Sequence, residues 1–317
     1  MDLFSTMITP YTAEGHVDYE TAKQYVDWYF EQGLTGIFAI CQSSEIFFLS
    51  QEERVELNRV VYARAKELER KHDRPFTVVS SGHVSDSLEE QAAELNAVWE
   101  SGTDALILIT NRLDPNNEGD EVWIRNAETL LKRLPKEARL GLYECPYPYK
   151  RLLSPKILDW CLSVGRFDYL KDTCCDADLI ASRCRQLEGS SFRLLNANGQ
   201  TLLDSMRRGG KGYCGVMCNY HPALYAWLAA NWQTRPEEAE LVQALLGTWS
   251  FLEGGLPYPL TAKYHMTLCG IPTENRARNR KSEEMTDYAR DCVRQLKLAS
   301  DSLEIRLGIR PGKEIFR

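Results

Sequence analysis

The chain has 317 residues, of which 44% are hydrophobic, 26% charged and 10% aromatic, and its formal net charge is −7. At roughly 100–200 residues per domain this length admits two domains, or one α/β barrel of about 250 residues with extras. The composition excludes disorder, collagen and coiled coil, and the acidic balance gives no electrostatic case for nucleic acid or an anionic membrane as a partner.

Short apolar runs then alternate with amphipathic stretches. Residues 4–8 precede a helical pattern at 18–31, where Tyr19, Ala22, Tyr25, Val26 and Tyr29 recur at helical spacing. Residues 36–40 precede 50–70, which opens with Ser50-Gln51-Glu52-Glu53, an N-cap serine followed by a glutamate three residues on. Residues 76–80 precede 85–100, with Ser85 or Ser87 as cap and Leu88, Ala92, Leu95 and Val98 on one face. Runs at 105–110, 140–143, 169–170, 192–195 and 212–216 precede helical patterns at 121–133, 154–163, 177–186, 201–208 and 222–231. The eight runs are continuous rather than alternating, as in parallel strands buried on both faces. Strand-helix repeated in this way predicts a (β/α)8 TIM barrel with right-handed crossovers.

The alternation stops near residue 233. Helices are expected at 235–253, 260–269 and 282–303, separated by Gly254-Gly255 and Ile271-Pro272, with a tail at 312–317. The expected division is a catalytic barrel at 1–233 and a C-terminal helical region at 234–317 packed on it. No stretch approaches the ~18 consecutive apolar residues of a membrane span. Met1-Asp2-Leu3-Phe4 has no basic region, so no signal peptide is expected and the location is read as cytoplasmic. Ten cysteines occur. Only Cys214-x3-Cys218 and adjacent Cys174-Cys175 approach metal-ligand spacing, and neither has a matching second pair. No metal is expected, and the thiols are read as small buried side chains in a reducing compartment.

In (β/α)8 enzymes the active site lies at the C-terminal ends of the strands. Lys171 stands at such an end. Desolvation among apolar neighbours favours a neutral lysine amine, which attacks ketones to form a Schiff base. Tyr143 ends the preceding strand, where a phenol can move protons for such a lysine. Gln42-Ser43-Ser44-Glu45 follows the second strand, and small hydroxyl residues at a strand-to-helix turn bind carboxylates through O–H and N–H groups. Each also has a plainer reading: a lysine paired with Asp172, a core tyrosine, an ordinary turn.

Taken in order, these segments resemble the dihydrodipicolinate synthase / N-acetylneuraminate lyase family. Cys41-Gln42-Ser43-Ser44-Glu45 and Leu49-Ser50-Gln51-Glu52-Glu53-Arg54 resemble its Gly-Thr-Thr-Gly-Glu and Leu-Ser/Thr-x-Glu-Glu-Arg segments. Thr9-Pro10-Tyr11, Tyr143-Glu144-Cys145-Pro146, Leu170-Lys171-Asp172-Thr173 and Gly209-Gly210-Lys211-Gly212 with Asn219 and Pro222 also find counterparts, as does the 28-residue step from Tyr143 to Lys171.

The resemblance implies Lys171 as Schiff-base lysine and Tyr143 as proton-transfer residue. Ser43 and Ser44, with Gln42, would hold the carboxylate of a pyruvate-like group. Cys214, Thr173, Ala197 and Asn198 would line the substrate pocket, and Arg112, Lys150 and Tyr147, with Asn196, would contact the other half of the substrate. No metal or organic cofactor is implied. The implied partner is a 2-oxo acid, pyruvate or a 2-keto-3-deoxy sugar acid, on a homo-oligomer, dimer or tetramer.

The departures are equally specific. Gln42 replaces the first Thr of the family's pair and Ser44 its Gly. Asn111-Arg112-Leu113 lacks the Tyr that reaches a neighbouring site, and Pro148 stands where synthases place a carboxylate-gripping Arg. The expected activity is therefore a Schiff-base lyase cleaving or forming a C–C bond in a 2-oxo acid. Dehydration of a 2-keto-3-deoxy sugar acid, 4-hydroxy-tetrahydrodipicolinate synthesis, and a catalytically silent 2-oxo-acid-binding barrel are the alternatives.

Overall fold

The computed structural model describes residues 1–310, the Glu253 side chain excepted, so the expected tail at 312–317 lies outside the described residues. Eight parallel strands close into a barrel in sequence order. They are β1 (Asp2–Thr6), β2 (Gly36–Phe38), β3 (Thr77–Ser80), β4 (Ala105–Ile109), β5 (Leu140–Tyr143), β6 (Phe167–Asp172), β7 (Arg193–Asn196) and β8 (Gly212–Gly215). Every continuous apolar run became a strand. The last pairing, β8 on β1, depends on glycine: a Cβ on Gly212 would lie 1.9 Å from the Asp2 carbonyl oxygen.

The outer ring is α1 (Tyr19–Glu31), α2 (Gln51–His72), α3 (Leu88–Glu100), α4 (Asp120–Leu131), α5 (Pro155–Val164), α6 (Ala177–Gln186), α7 (Leu202–Arg207) and α8 (Pro222–Asn231). Side-chain caps set several starts. The Ser50 hydroxyl accepts from Glu53 N while the Glu53 carboxylate accepts from Ser50 N, the reciprocal cap expected for α2. Ser87, rather than Ser85, caps α3.

Among the described residues, four α-helices follow the barrel: α9 (Pro236–Trp249), α10 (Phe251–Gly255), α11 (Leu260–Leu268) and α12 (Asp287–Arg306). The expected single helix at 235–253 is interrupted at Ser250. The expected helix at 282–303 starts later, because Thr286 caps a fresh turn by accepting from Ala289 N. One apolar cluster runs from Phe4 and Tyr225 of the barrel into Val242, Leu246, Met266 and Leu296 of the appended helices. Among the described residues, no helix is long and apolar enough to cross a membrane.

Candidate active site

Strand alternation sorts the residues at the ends of β5 and β6. Tyr143 stands in register with Lys171, so both side chains enter the barrel mouth together. The next residues, Glu144 and Asp172, point the other way, toward the helices. There Arg183 of α6 meets them. Its Nη2 donates to Glu144 Oε1 at 2.7 Å and to the Leu153 carbonyl at 2.8 Å, and its Nη1 donates to Asp172. All three side chains are at most 1% exposed. Burial pushes the Glu144 carboxyl above its usual range, against the pull of Arg183. The triad fixes the strand ends from behind: Glu144 Oε2 accepts from Thr173 N at 3.0 Å, and the Thr173 hydroxyl donates to the Glu144 carbonyl at 2.7 Å.

A cavity of about 410 Å³ opens above Lys171. The Lys171 Nζ lies 4.3 Å from the centroid of the Tyr143 ring and 5.6 Å from that of Phe38. The Tyr143 hydroxyl donates to Gln42 Oε1 at 3.2 Å, and its ring packs edge-on against Phe38. Burial raises this phenol well above its ordinary pKa, so it rests protonated. Ser43 lines the cavity and donates to Thr6 Oγ1 at 3.1 Å. Thr173, Ala197, Asn198 and Lys150 also line it. Lys150 Nζ donates to the Thr173 carbonyl at 2.8 Å.

Five expected residues sit elsewhere. Ser44 is fully buried; its hydroxyl accepts from Cys41 N at 2.6 Å and donates to the Cys41 carbonyl at 2.8 Å, so it closes its own turn instead of facing the cavity. Arg112 follows β4 on a tight helical turn and points outward, to Asp86 at 3.2 Å and over the Phe47 ring. Tyr147 is 54% exposed and packs on Phe47 at 4.9 Å. Cys214, on β8, is buried and does not line the cavity. Asn196, likewise, is buried and bonded to Thr201 and Asn198 N. The cysteines are mostly buried, but Cys175 is exposed and lines the cavity mouth. Among the described residues, no three His, Cys, Asp or Glu side chains gather as a metal site.

The sequence reading missed the contribution of the appended helices. Tyr258, Pro259, Asn279 and Arg280 line the cavity. The arm bearing the last two is held by Glu45, in left-handed backbone (φ 61°) just past the Gln42–Ser44 turn. Glu45 Oε1 accepts from Arg278 N at 2.5 Å and Asn279 N at 3.0 Å, while Oε2 pairs with Lys263 at 3.0 Å. Lys263 and Glu45 are fully buried, and burial brings the lysine down to about 8 despite that partner. Arg278 itself grips Glu53 with both nitrogens at 2.6 Å. On the β4 side, Asn111 Nδ2 reaches the carbonyls of Cys145, Tyr147 and Tyr149 at 2.6–3.0 Å and ties down the loop that carries Lys150. A larger cavity of about 690 Å³ lies outside the barrel between α1, α8, α11 and α12, remote from Lys171.

A model of the dihydrodipicolinate synthetase family matches residues 1–70. A 4-hydroxy-tetrahydrodipicolinate synthase of Coxiella burnetii is 24% identical over 275 residues, 84% of this chain and 86% of that protein. The dihydrodipicolinate synthase of Cyanidioschyzon merolae, solved with lysine bound, superposes with a TM-score of 0.82 at 18% identity, covering 95% of this chain and 98% of that one. YagE of E. coli, solved with pyruvate and described as a member of the dihydrodipicolinic acid synthase family, superposes with a TM-score of 0.80 at 19% identity, covering 96% and 98%. The chain is thus similar to the dihydrodipicolinate synthase family in sequence, closely enough for the family model only over residues 1–70, and it shares the fold of these solved structures over nearly its whole length.

Proposed function

We propose that the protein is a Schiff-base lyase that cleaves or forms a C–C bond in a 2-oxo acid, with Lys171 as the imine-forming residue. The observation that carries the reading is the pairing of Lys171 with Tyr143 across β5 and β6, amine beside phenol, at the floor of a barrel-mouth cavity. The Lys171 amine adds to the ketone carbon. Tyr143 gives its proton to the departing hydroxyl of the carbinolamine, water leaves, and a phenolate remains beside the cationic imine. The phenolate then takes the proton of the C4 hydroxyl. The C3–C4 bond breaks, its electron pair flows to the imine nitrogen, and an aldehyde leaves an enamine behind. Protonation at C3 and hydrolysis release the shorter 2-oxo acid and free the lysine.

Gln42 supports this role by accepting the Tyr143 O–H and fixing where the proton points. Ser43 and neighbouring backbone N–H groups receive the substrate carboxylate. Substrate-binding roles for Thr173, Ala197 and Asn198 rest on their place in the lining.

Borohydride reduction with pyruvate, followed by intact mass and peptide mapping, tests the reading. The expected result is one pyruvyl-sized adduct on Lys171, absent in Lys171→Ala. Retained activity in Lys171→Ala, or an adduct on another lysine, overturns it.

A further inference from the structure

We propose that the substrate carries a second anionic group, a carboxylate or a phosphate, on the half beyond the scissile bond, and that Arg280 and Lys150 bind it at the cavity mouth. This rests on Lys171 being the imine-forming residue.

The first argument is charge. Among the described residues, the cavity lining holds three cations, Lys150, Lys171 and Arg280, and no aspartate or glutamate. In the imine, the positive charge at Lys171 is balanced by the C1 carboxylate of the bound oxo acid. The other two cations have no such counterpart inside the cavity. Lys150 spends one of three donors on the Thr173 carbonyl and has no ion-pair partner among the described residues. Arg280 touches Glu284 at 3.2 Å through one nitrogen, at a site where both side chains are more than a third exposed. Such a pair is weak and leaves most of the guanidinium fork unused. The chain as a whole is acidic, at −7, so this mouth is a local reversal that draws anions in.

The second argument is placement. Arg280 is carried on the arm that Glu45 holds by two backbone N–H groups, and Glu45 is locked in turn by buried Lys263. The same turn supplies Gln42 and Ser43 to the cavity floor. The arm is therefore set at a fixed height above the imine position before substrate arrives, and that preorganisation lowers the ordering cost of binding. A planar guanidinium matches carboxylate or phosphate oxygens in pairs, and an ammonium adds a point charge.

The test is concentration-dependent borohydride trapping on the intact protein, read as the Lys171 adduct by mass. Three probes are compared: 2-oxoglutarate, its uncharged 5-amide of equal length, and a 2-oxo acid ending in phosphate. We expect an anionic probe to half-saturate at about tenfold lower concentration than the amide, with the advantage shrinking in high salt. The better of the two anionic probes identifies the group. Arg280→Gln and Lys150→Gln should each reduce the acid-to-amide ratio severalfold. Both positions are exposed, and a thermal melt checks that the variants fold. Equal half-saturation of all three probes on Lys171 overturns the proposal and leaves the Schiff-base reading standing. A ratio unchanged in both variants also overturns it. Absence of any adduct, with pyruvate included, overturns both.

Discussion

Replacing Arg183 with methionine tests how the reactive strand ends are held. Arg183 neutralises two carboxylates that have no water to turn to, Glu144 and Asp172. The change removes donors to both, and to the Leu153 carbonyl, and leaves the acids buried. Breaking a buried pair by removing one partner costs about 3–5 kcal/mol. For a chain of this size that lowers the melting midpoint on the order of 10 °C. The loss carries a sign in pH. Burial already raises the Glu144 carboxyl, and without the guanidinium that opposes this it holds its proton in the folded state more tightly than in the unfolded chain. The fold then binds more protons than the unfolded state, so the variant's stability falls as pH rises through the ordinary carboxylate range. Thermal melts and urea midpoints at pH 5 and pH 8, followed by tryptophan fluorescence, read this out. The deficit should be larger at pH 8. Imine trapping should also fall at temperatures where the variant is folded, because Tyr143 and Lys171 immediately precede the two freed acids. Arg207→Met, which breaks only the exposed pair with Glu240, is the control. A deficit below about 1 kcal/mol, or one equal at both pH values, would refute the account of the triad as a desolvated charge cluster.

Tyr143→Phe keeps the ring against Phe38 and removes only the hydroxyl, so the protein should fold while the rate of imine trapping drops about 10²–10⁴-fold; a rate within threefold of wild type would remove Tyr143 from the mechanism. Cys175 is exposed on the cavity mouth, so a bulky maleimide should block trapping in the wild type and not in Cys175→Ser, with peptide mapping to locate the label. Three buried histidines resist protonation: burial brings His83 to about 4 and His221 and His265 to about 3. His83 is fixed as neutral because its Nε2 accepts from Ile109 N at 2.7 Å. The unfolded chain takes up these protons first, so stability should fall as pH drops below about 6.5, by up to about 1.4 kcal/mol per pH unit for each histidine. His221→Phe, at a ring packed between Tyr225 and Trp249, should flatten the urea-midpoint slope between pH 6.5 and 4; an unaltered slope would mean His221 is not the source.

The barrel was readable because its strands are buried on both faces and appear as uninterrupted apolar runs, such as Ala105–Ile109. Lys171 and Tyr143 were readable because each ends such a run, and strand geometry places the end of a run at the mouth. Beyond the strand ends the pattern no longer reports direction. Arg112 sits only three residues past β4, yet the turn at Thr110–Leu113 rotates it to Asp86. Ser44 carries the same hydroxyl as its neighbour Ser43, but its position lets it close onto Cys41, a bond that competes with ligand binding. Tyr258, Asn279 and Arg280 lie in segments with no periodicity, and what brings them to the cavity is a long-range contact to Glu45 that nothing local announces. The glutamate itself was visible; its partners were not.

The join between Glu45 and Asn279 spans 234 positions of the chain. It therefore sets an order of events during synthesis. A ribosome releases the barrel strands first, and they can pair as they emerge. The lysine at the mouth is then present while the arm that roofs it is still untranslated. Enclosure of Lys171 has to wait until residues 278–280 are made, so under the proposed mechanism a chain that stopped short of residue 278 would lack the roof that shields its amine from aldehydes and ketones in the surrounding fluid.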